Sequence, residues 1–235
     1  MSILVWHGPS MLTGDPIGLF AVPHSKNAKT GPMVQTYILR TDMNPQVAVW
    51  DGEDDAICGD CAFRGDGSKT RLCYVSARRG PLAVFRNFSA GLHTWDSPKE
   101  VGRRRLIRLG TYGDPAAIPF EVWEEFLSRS LGHTGYTHSW RTCDPRFKQI
   151  VHASCNNPGD YHEAKALGWM TYRVRLPEEP RMKGERPCPA AEEAGKHVTC
   201  ADCLGCDGQR RDFSIIAHGG TGTDKKYRKF RLEAA

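Results

Sequence analysis

Seven of the nine cysteines fall into two groups whose spacing suits metal ions or iron–sulfur clusters. The later group, Cys188 and then Cys200, Cys203 and Cys206, reads C-x11-C-x2-C-x2-C. Four thiolates are the complement of a closed tetrahedral zinc site or a cubane cluster. Cysteines two residues apart can share one metal because a tight turn brings both sulfurs to the same side, and Gly205 and Gly208 favour such turns. The earlier group is Cys58, Cys61 and, after eleven residues, Cys73. Three thiolates leave one coordination position free, as a catalytic metal or a substrate-binding cluster requires, unless a histidine completes a closed site instead. The compact C-x3-C-x2-C run of the main radical S-adenosylmethionine enzymes is not present. Cys143 and Cys155 read as buried thiols.

Other candidates lie between the two groups. Asp114, in GTYGDP, is positioned to serve as a catalytic carboxylate, or else to cap the helix or turn that follows. His138, in GYTHSWR, could act as acid, base or ligand, or be a core histidine. Tyr112, Tyr136, Trp140 and Arg141 combine aromatic planes with a guanidinium, as a base-stacking pocket does and as ordinary packing also does. Asn156 follows the apolar run IVHAS and adds a polar group at a strand end. Arg103, Arg104, Arg105 and Arg108 form one basic cluster, and Lys225, Lys226, Arg228, Lys229 and Arg231 another. Such clusters suit a polyanion such as DNA or a solvated surface.

The elements that must position these residues are legible as a rhythm. The 235 residues, 40% hydrophobic and 25% charged with a formal net charge of +5, suit one globular domain over 1–235. Residues 1–33 read as an N-terminal extension and 220–235 as a basic tail. The start MSILVWHGPS has no basic n-region, and no apolar run is long enough for a membrane helix. Nine cysteines in such a chain lead to the expectation of a reducing, cytoplasmic setting and no membrane partner. Strands are expected at 34–40, 46–50, 106–112, 135–140, 148–154, 170–176 and 212–219. Helices are expected beyond Pro81, over 119–130 and over 160–167. Strand alternating with helix predicts an α/β fold: an open sheet or a (β/α) barrel, complete or incomplete, with cysteine-rich metal-binding loops. The carboxyl ends of its strands would gather the functional groups.

The order CGDCAFRG, LCYVSARRGP, RLGTYGDPAAIPFEVW, GYTHSWR and CADCLGC resembles a family of cysteine-rich bacteriophage and prophage proteins over about residues 55–218. It also resembles the phage deazaguanine DNA transglycosylases of the DpdA type, which are similar to tRNA-guanine transglycosylases. That resemblance implies a barrel with a late zinc site, DNA as partner and a 7-deazaguanine base as small-molecule substrate. In it Asp114 would attack the sugar carbon bearing guanine and form a covalent aspartyl intermediate that the new base resolves. The chain departs from the tRNA enzymes in its short length, its C-x2-C-x2-C spacing and its early cysteines. Two other readings stand beside it. One is an iron–sulfur enzyme using S-adenosylmethionine, with Cys58, Cys61 and Cys73 on the cluster. The other is a non-catalytic, zinc-stabilised nucleic-acid-binding protein.

Overall fold

The structure, a computed structural model, describes residues 2–25, 27–65, 71–191, 195, 198–218 and 223–233. It opens with an antiparallel meander of β1 (Ile3–Pro9), β2 (Pro16–Val22) and β3 (Val34–Arg40). Five consecutive residues of β2 are buried, so this strand is covered on both faces. After β3 come α1 (Pro45–Asp51), α2 (Asp55–Cys58), α3 (Gly80–Ser89), β4 (Thr94–Trp95) and α4 (Pro98–Gly102). The chain then runs through β5 (Leu106–Tyr112), a 3₁₀ turn (Pro115–Ala117), α5 (Phe120–Leu127), β6 (Gly132–Thr134) and β7 (Tyr136–Thr137). It ends with a second 3₁₀ turn (Pro145–Gln149), β8 (His152–Cys155), α6 (Pro158–Ala166), β9 (Thr171–Arg175), β10 (Arg186–Pro187), α7 (Cys200–Cys203), β11 (Phe213–Ile216) and α8 (Thr223–Glu233).

Two sheets result: one ordered β4-β1-β2-β3-β5-β6, the other β10-β11-β9-β8-β7. The pairs β3–β5 and β5–β6 are parallel, and every pair of the second sheet is parallel. Only Gly135 separates β6 from β7, so a single run of chain, 132–137, edges both sheets. A Cβ there would stand 2.8 Å from Val151 Cγ1 and 2.9 Å from Leu109 Cβ, which is why the crossing residue is glycine. The expected mixed α/β class is what the chain adopts. Among the described residues no pairing joins β4 to β10, so these strands do not close into a barrel. The main core fills the space between sheets and helices, with Trp123 and Phe126 of α5 fully buried and their rings stacked.

Strands β3 and β5 occupy the ranges that sequence alone assigns them, and α3 begins at Gly80, two residues before the expected start, with Pro81 in its first turn. Residues 46–50 do not form a strand. They lie in α1, because Asn44 caps it by accepting from Gln46 N and Pro45 sits at its first turn. Those two local start signals outweigh five residues of apolar alternation. The expected strand over 135–140 is reduced to β7, since the chain turns at His138 to bond with Asp114. Residues 1–33 are no appendage: β1 and β2 are hydrogen-bonded strands of the larger sheet, and Ile17, Leu19 and Phe20 are fully buried. In the basic tail, 223–233 form α8, whose Tyr227 is buried; 220–222 and 234–235 lie outside the described residues.

Candidate functional site

The early cysteines hang from the carboxyl end of β3. Cys58 ends the one-turn helix α2, and Cys61 N donates back to Cys58 O at 3.2 Å, which forms the C-x2-C turn. Cys73 returns to this turn because its N–H donates to Phe63 O at 2.8 Å. Beneath the loop the carboxylate of Asp54, fully buried, binds Arg64 and Arg71 at 2.8 and 2.7 Å. Burial raises the Cys58 thiol well above its usual range, and the negative charges of Asp54, Cys61 and Cys73 raise it further. Burial pushes the Cys61 thiol up to about 12. The backbone amides of Phe63 and Arg64 near Cys61 and of Val75 near Cys73 oppose that rise, as does the Arg71 charge at all three thiols. Donors aimed at sulfur and a guanidinium nearby are the surroundings that favour thiolates.

The late cysteines are tethered from several directions. Thr199 and Asp202 form a capping box that starts α7, and Cys200 N and Ala201 N donate to Lys29 O and Thr30 O, each at 3.0 Å. Cys206 O accepts from Gly135 N at 2.8 Å, while Cys188 N donates to Ser214 O at 2.9 Å. Gly208 N donates to His152 Nδ1 at 3.0 Å, so the other ring nitrogen carries the proton and donates to Arg211 O at 2.7 Å. Burial lowers His152 to about 4, which keeps it neutral and able to hold this loop. The four late thiols are electrostatic neighbours: burial first and then the Cys188, Cys200 and Cys203 charges raise Cys206, against the lowering pull of Arg108.

Both groups face cavities that share lining residues. One of about 100 Å³ is bordered by Cys58, Cys61, Cys73, Tyr112, Asp114 and His138. Another of about 340 Å³ is bordered by Cys188, Cys200, Cys206, Arg108, Lys29 and Tyr172. A third of about 80 Å³ lies under α8, against Phe63, His138 and Tyr227. Tyr74 and Tyr136 border all three. Their hydroxyls are 3.2 Å apart, the Tyr136 ring stacks on Tyr172 at 5.2 Å, and Arg108 lies 4.4 Å over the Tyr136 ring. An aromatic partition thus stands between the three-thiol and the four-thiol walls.

Asp114 reaches this site at the end of β5. Gly113 takes φ +82, and a Cβ there would meet Ile38 Cβ at 2.7 Å. Asp114 Oδ1 accepts from Thr137 Oγ1 at 2.6 Å and Ala116 N at 2.9 Å, and Oδ2 accepts from His138 N at 2.7 Å. Its carboxylate therefore caps the 3₁₀ turn and joins the loops after β5 and β7. Burial raises its pKa, opposed first by the Thr137 bond; burial lowers that of His138 despite the Asp114 charge. Tyr112 is buried with its hydroxyl unpartnered at the edge of the three-thiol cavity.

The remaining candidates lie elsewhere. Trp140 is a core residue whose indole donates to Ser154 O, and Arg141 stacks on it while pairing with Asp160 and Glu163. Asn156 serves through its backbone oxygen, which accepts from Tyr227 Oη and Arg231. Tyr136 borders all three cavities, with Arg108 over its ring and Tyr172 stacked against it. Arg103, Arg104 and Arg105 are exposed before β5, at the opposite end of the strand from Asp114, whereas Arg108 is buried in the cavity. In α8, Arg228 and Arg231 pair with Glu178 and Glu179. Cys155 is fully buried and Cys143 packs against the core, as expected. Arg108, Tyr74 and Tyr172 are the site residues that sequence reasoning left out. Their signal is a polar or aromatic side chain at a core-facing position of an otherwise apolar strand, or beside a cysteine.

Among the described residues no three His, Cys, Asp or Glu side chains are set as ligands around a single ion. The donor sets themselves, thiols with N–H groups and guanidinium charge directed at sulfur, fit thiolate-bound metal. Cys58, Cys61 and Cys73 would hold one centre, and Cys188, Cys200, Cys203 and Cys206 another. No family model, no curated protein and no solved structure matches the chain. Among the described residues no helix is long and apolar enough to cross a membrane.

Proposed function

We propose that the chain is a metal-dependent enzyme whose substrate sits between the two thiol groups. In this reading Cys58, Cys61 and Cys73 hold an iron–sulfur cluster that S-adenosylmethionine approaches, and the late four thiols hold a closed zinc or cluster site. The observation that carries it is the Tyr74–Tyr136 pair, on which the three-thiol and four-thiol cavities meet. When bound, such a cluster delivers an electron to a sulfonium co-substrate and so opens radical chemistry. The chain's own residues bind and shield. Arg71 and the loop N–H groups oppose the rise that burial gives the thiols, Phe63 packs on Tyr227 beside the cavity, and Tyr74 and Tyr136 stand between the two thiol groups. The parallel strands β3, β5, β6, β7, β8 and β9 are read here as an incomplete barrel wall, which suits a site at their carboxyl ends. Anaerobic purification followed by iron, sulfide and zinc analysis tests it. Iron and sulfide that fall in Cys58→Ser, with 5′-deoxyadenosine formed from S-adenosylmethionine under reductant, support the reading. A colourless zinc protein after reconstitution overturns it.

A second reading, exchange of guanine in DNA for a 7-deazaguanine through Asp114, is favoured by one observation: Asp114 and His138 both border the three-thiol cavity. It requires the carboxylate to leave its Thr137 and His138 bonds in order to attack. Mass spectrometry of digested DNA from cells supplied with a 7-deazaguanine decides it, with Asp114→Asn as control.

A further inference from the structure

Arg108 is a buried cation that meets no carboxylate among the described residues. It lies mid-strand in β5 with Gln35 and Thr134 opposite it on the two neighbouring strands, and it is 8% exposed. A guanidinium carries five N–H donors. Among the described residues that of Arg108 makes one bond, 3.5 Å to Thr134 Oγ1, and lies over the Tyr136 ring. Two other buried arginines meet carboxylates, and Arg175 donates to the backbone oxygens of Leu176, Pro177 and Glu179. Arg173, fully buried, holds Glu185 through two bonds of 2.7 and 2.8 Å, and Arg40 meets Asp15, Asp42 and Glu53. An unmatched buried charge is costly, so its persistence calls for an anion.

The cavity beside Arg108 repeats the pattern. Lys29 and the exposed Arg79 stand at its border, Thr111 and Tyr37 add hydroxyls, and none of its described lining residues is an aspartate or glutamate. The ionisable groups nearest to Arg108 are the phenols of Tyr136 and Tyr74 and the late thiols of Cys200 and Cys206, none of them a carboxylate. At about 340 Å³ the space exceeds what one oxyanion fills, so the anion would be one end of a small molecule.

We infer that this cavity is an oxyanion-binding site, in which Arg108 forks onto a carboxylate or phosphate of a small ligand while Lys29 and Arg79 attract it at the rim. Planar, bidentate recognition is what the guanidinium supplies and a lysine does not. The inference rests on the cavity and its charges, and holds whichever metal the thiols bind.

The test uses the metal-loaded full chain, titrated with inorganic phosphate and separately with acetate at constant ionic strength, and read by calorimetry. Elemental analysis of each variant accompanies it. Saturable binding of either anion is expected, the tighter of the two identifying the group recognised. Arg108→Gln should weaken it at least about tenfold, the value of a charge-assisted pair, and Arg79→Gln by roughly twofold, with metal content unchanged. If Arg108→Gln also loses metal, Arg108→Lys decides, since it keeps the charge and removes the fork: weaker anion binding with metal retained supports the site. No saturable binding of either anion overturns the inference. So does wild-type anion affinity in both Arg108→Gln and Arg108→Lys, which would leave Arg108 as counter-charge to the late thiols.

Discussion

The two thiol groups differ in how they are held. The late loop is bonded to four separate parts of the chain: the segment at Lys29 and Thr30, the β6–β7 junction at Gly135, His152 of β8 and Ser214 of β11. The early loop is held chiefly from below, by Asp54 through Arg64 and Arg71 and by Asp114 N donating to Ile57 O, and it faces a cavity. Tethering in many directions makes a metal centre part of the fold. Support from one side leaves a centre exposed to whatever enters the cavity.

The largest effect should separate the loops directly. Cys206→Ser is expected to remove the late metal and lower stability by more than about 5 kcal/mol, because structural thiolate sites supply folding free energy. Cys58→Ser should remove the early metal and the activity while costing about 1 kcal/mol or less, once coordination is discounted. Thermal unfolding with elemental analysis checks both, and equal losses would erase the distinction. Next, Asp54→Asn leaves Arg64 and Arg71 without their buried partner, an expected cost of about 3 kcal/mol by denaturant titration.

A pH series sharpens the contrast. His152 is lowered from 6.5 to about 4 in the folded chain, so the unfolded chain binds the proton more readily between those values. Stability should therefore fall as pH drops from 6.5 toward 4, by up to on the order of 3 kcal/mol, with release of the late loop. His152→Gln should flatten that part of the curve. The smallest effect belongs to Arg141→Ala, whose half-exposed ion pairs predict a change of about 1 kcal/mol or less and unaltered activity.

Much of this was legible residue by residue. β3 and β5 announce themselves by β-branched, apolar runs, and the cysteine spacings mark the two loops before any coordinates. Residues 46–50 mislead because their four apolar residues satisfy a strand pattern, while the true signals, Asn44 and Pro45, lie just ahead of them. Trp140 and Arg141 read as part of a base-stacking pocket or as packing; Trp140 lies in the core with Arg141 over its ring, a side of the chain that parity around a turn cannot reveal. Asp114 is placed correctly at a strand end, yet two of its three hydrogen bonds depend on a segment twenty-odd residues away. Arg108 was grouped with its exposed basic neighbours because proximity in sequence hides which strand face a side chain takes.

The run 132–137, shared by both sheets across Gly135, bears on how the molecule comes apart. Neither sheet can lose that strand without stripping hydrogen bonds from the other, since β6 pairs with β5 and β7 with β8. The two sheets are accordingly one cooperative unit, and calorimetry should record a single unfolding transition in which the antiparallel meander and the all-parallel half melt together.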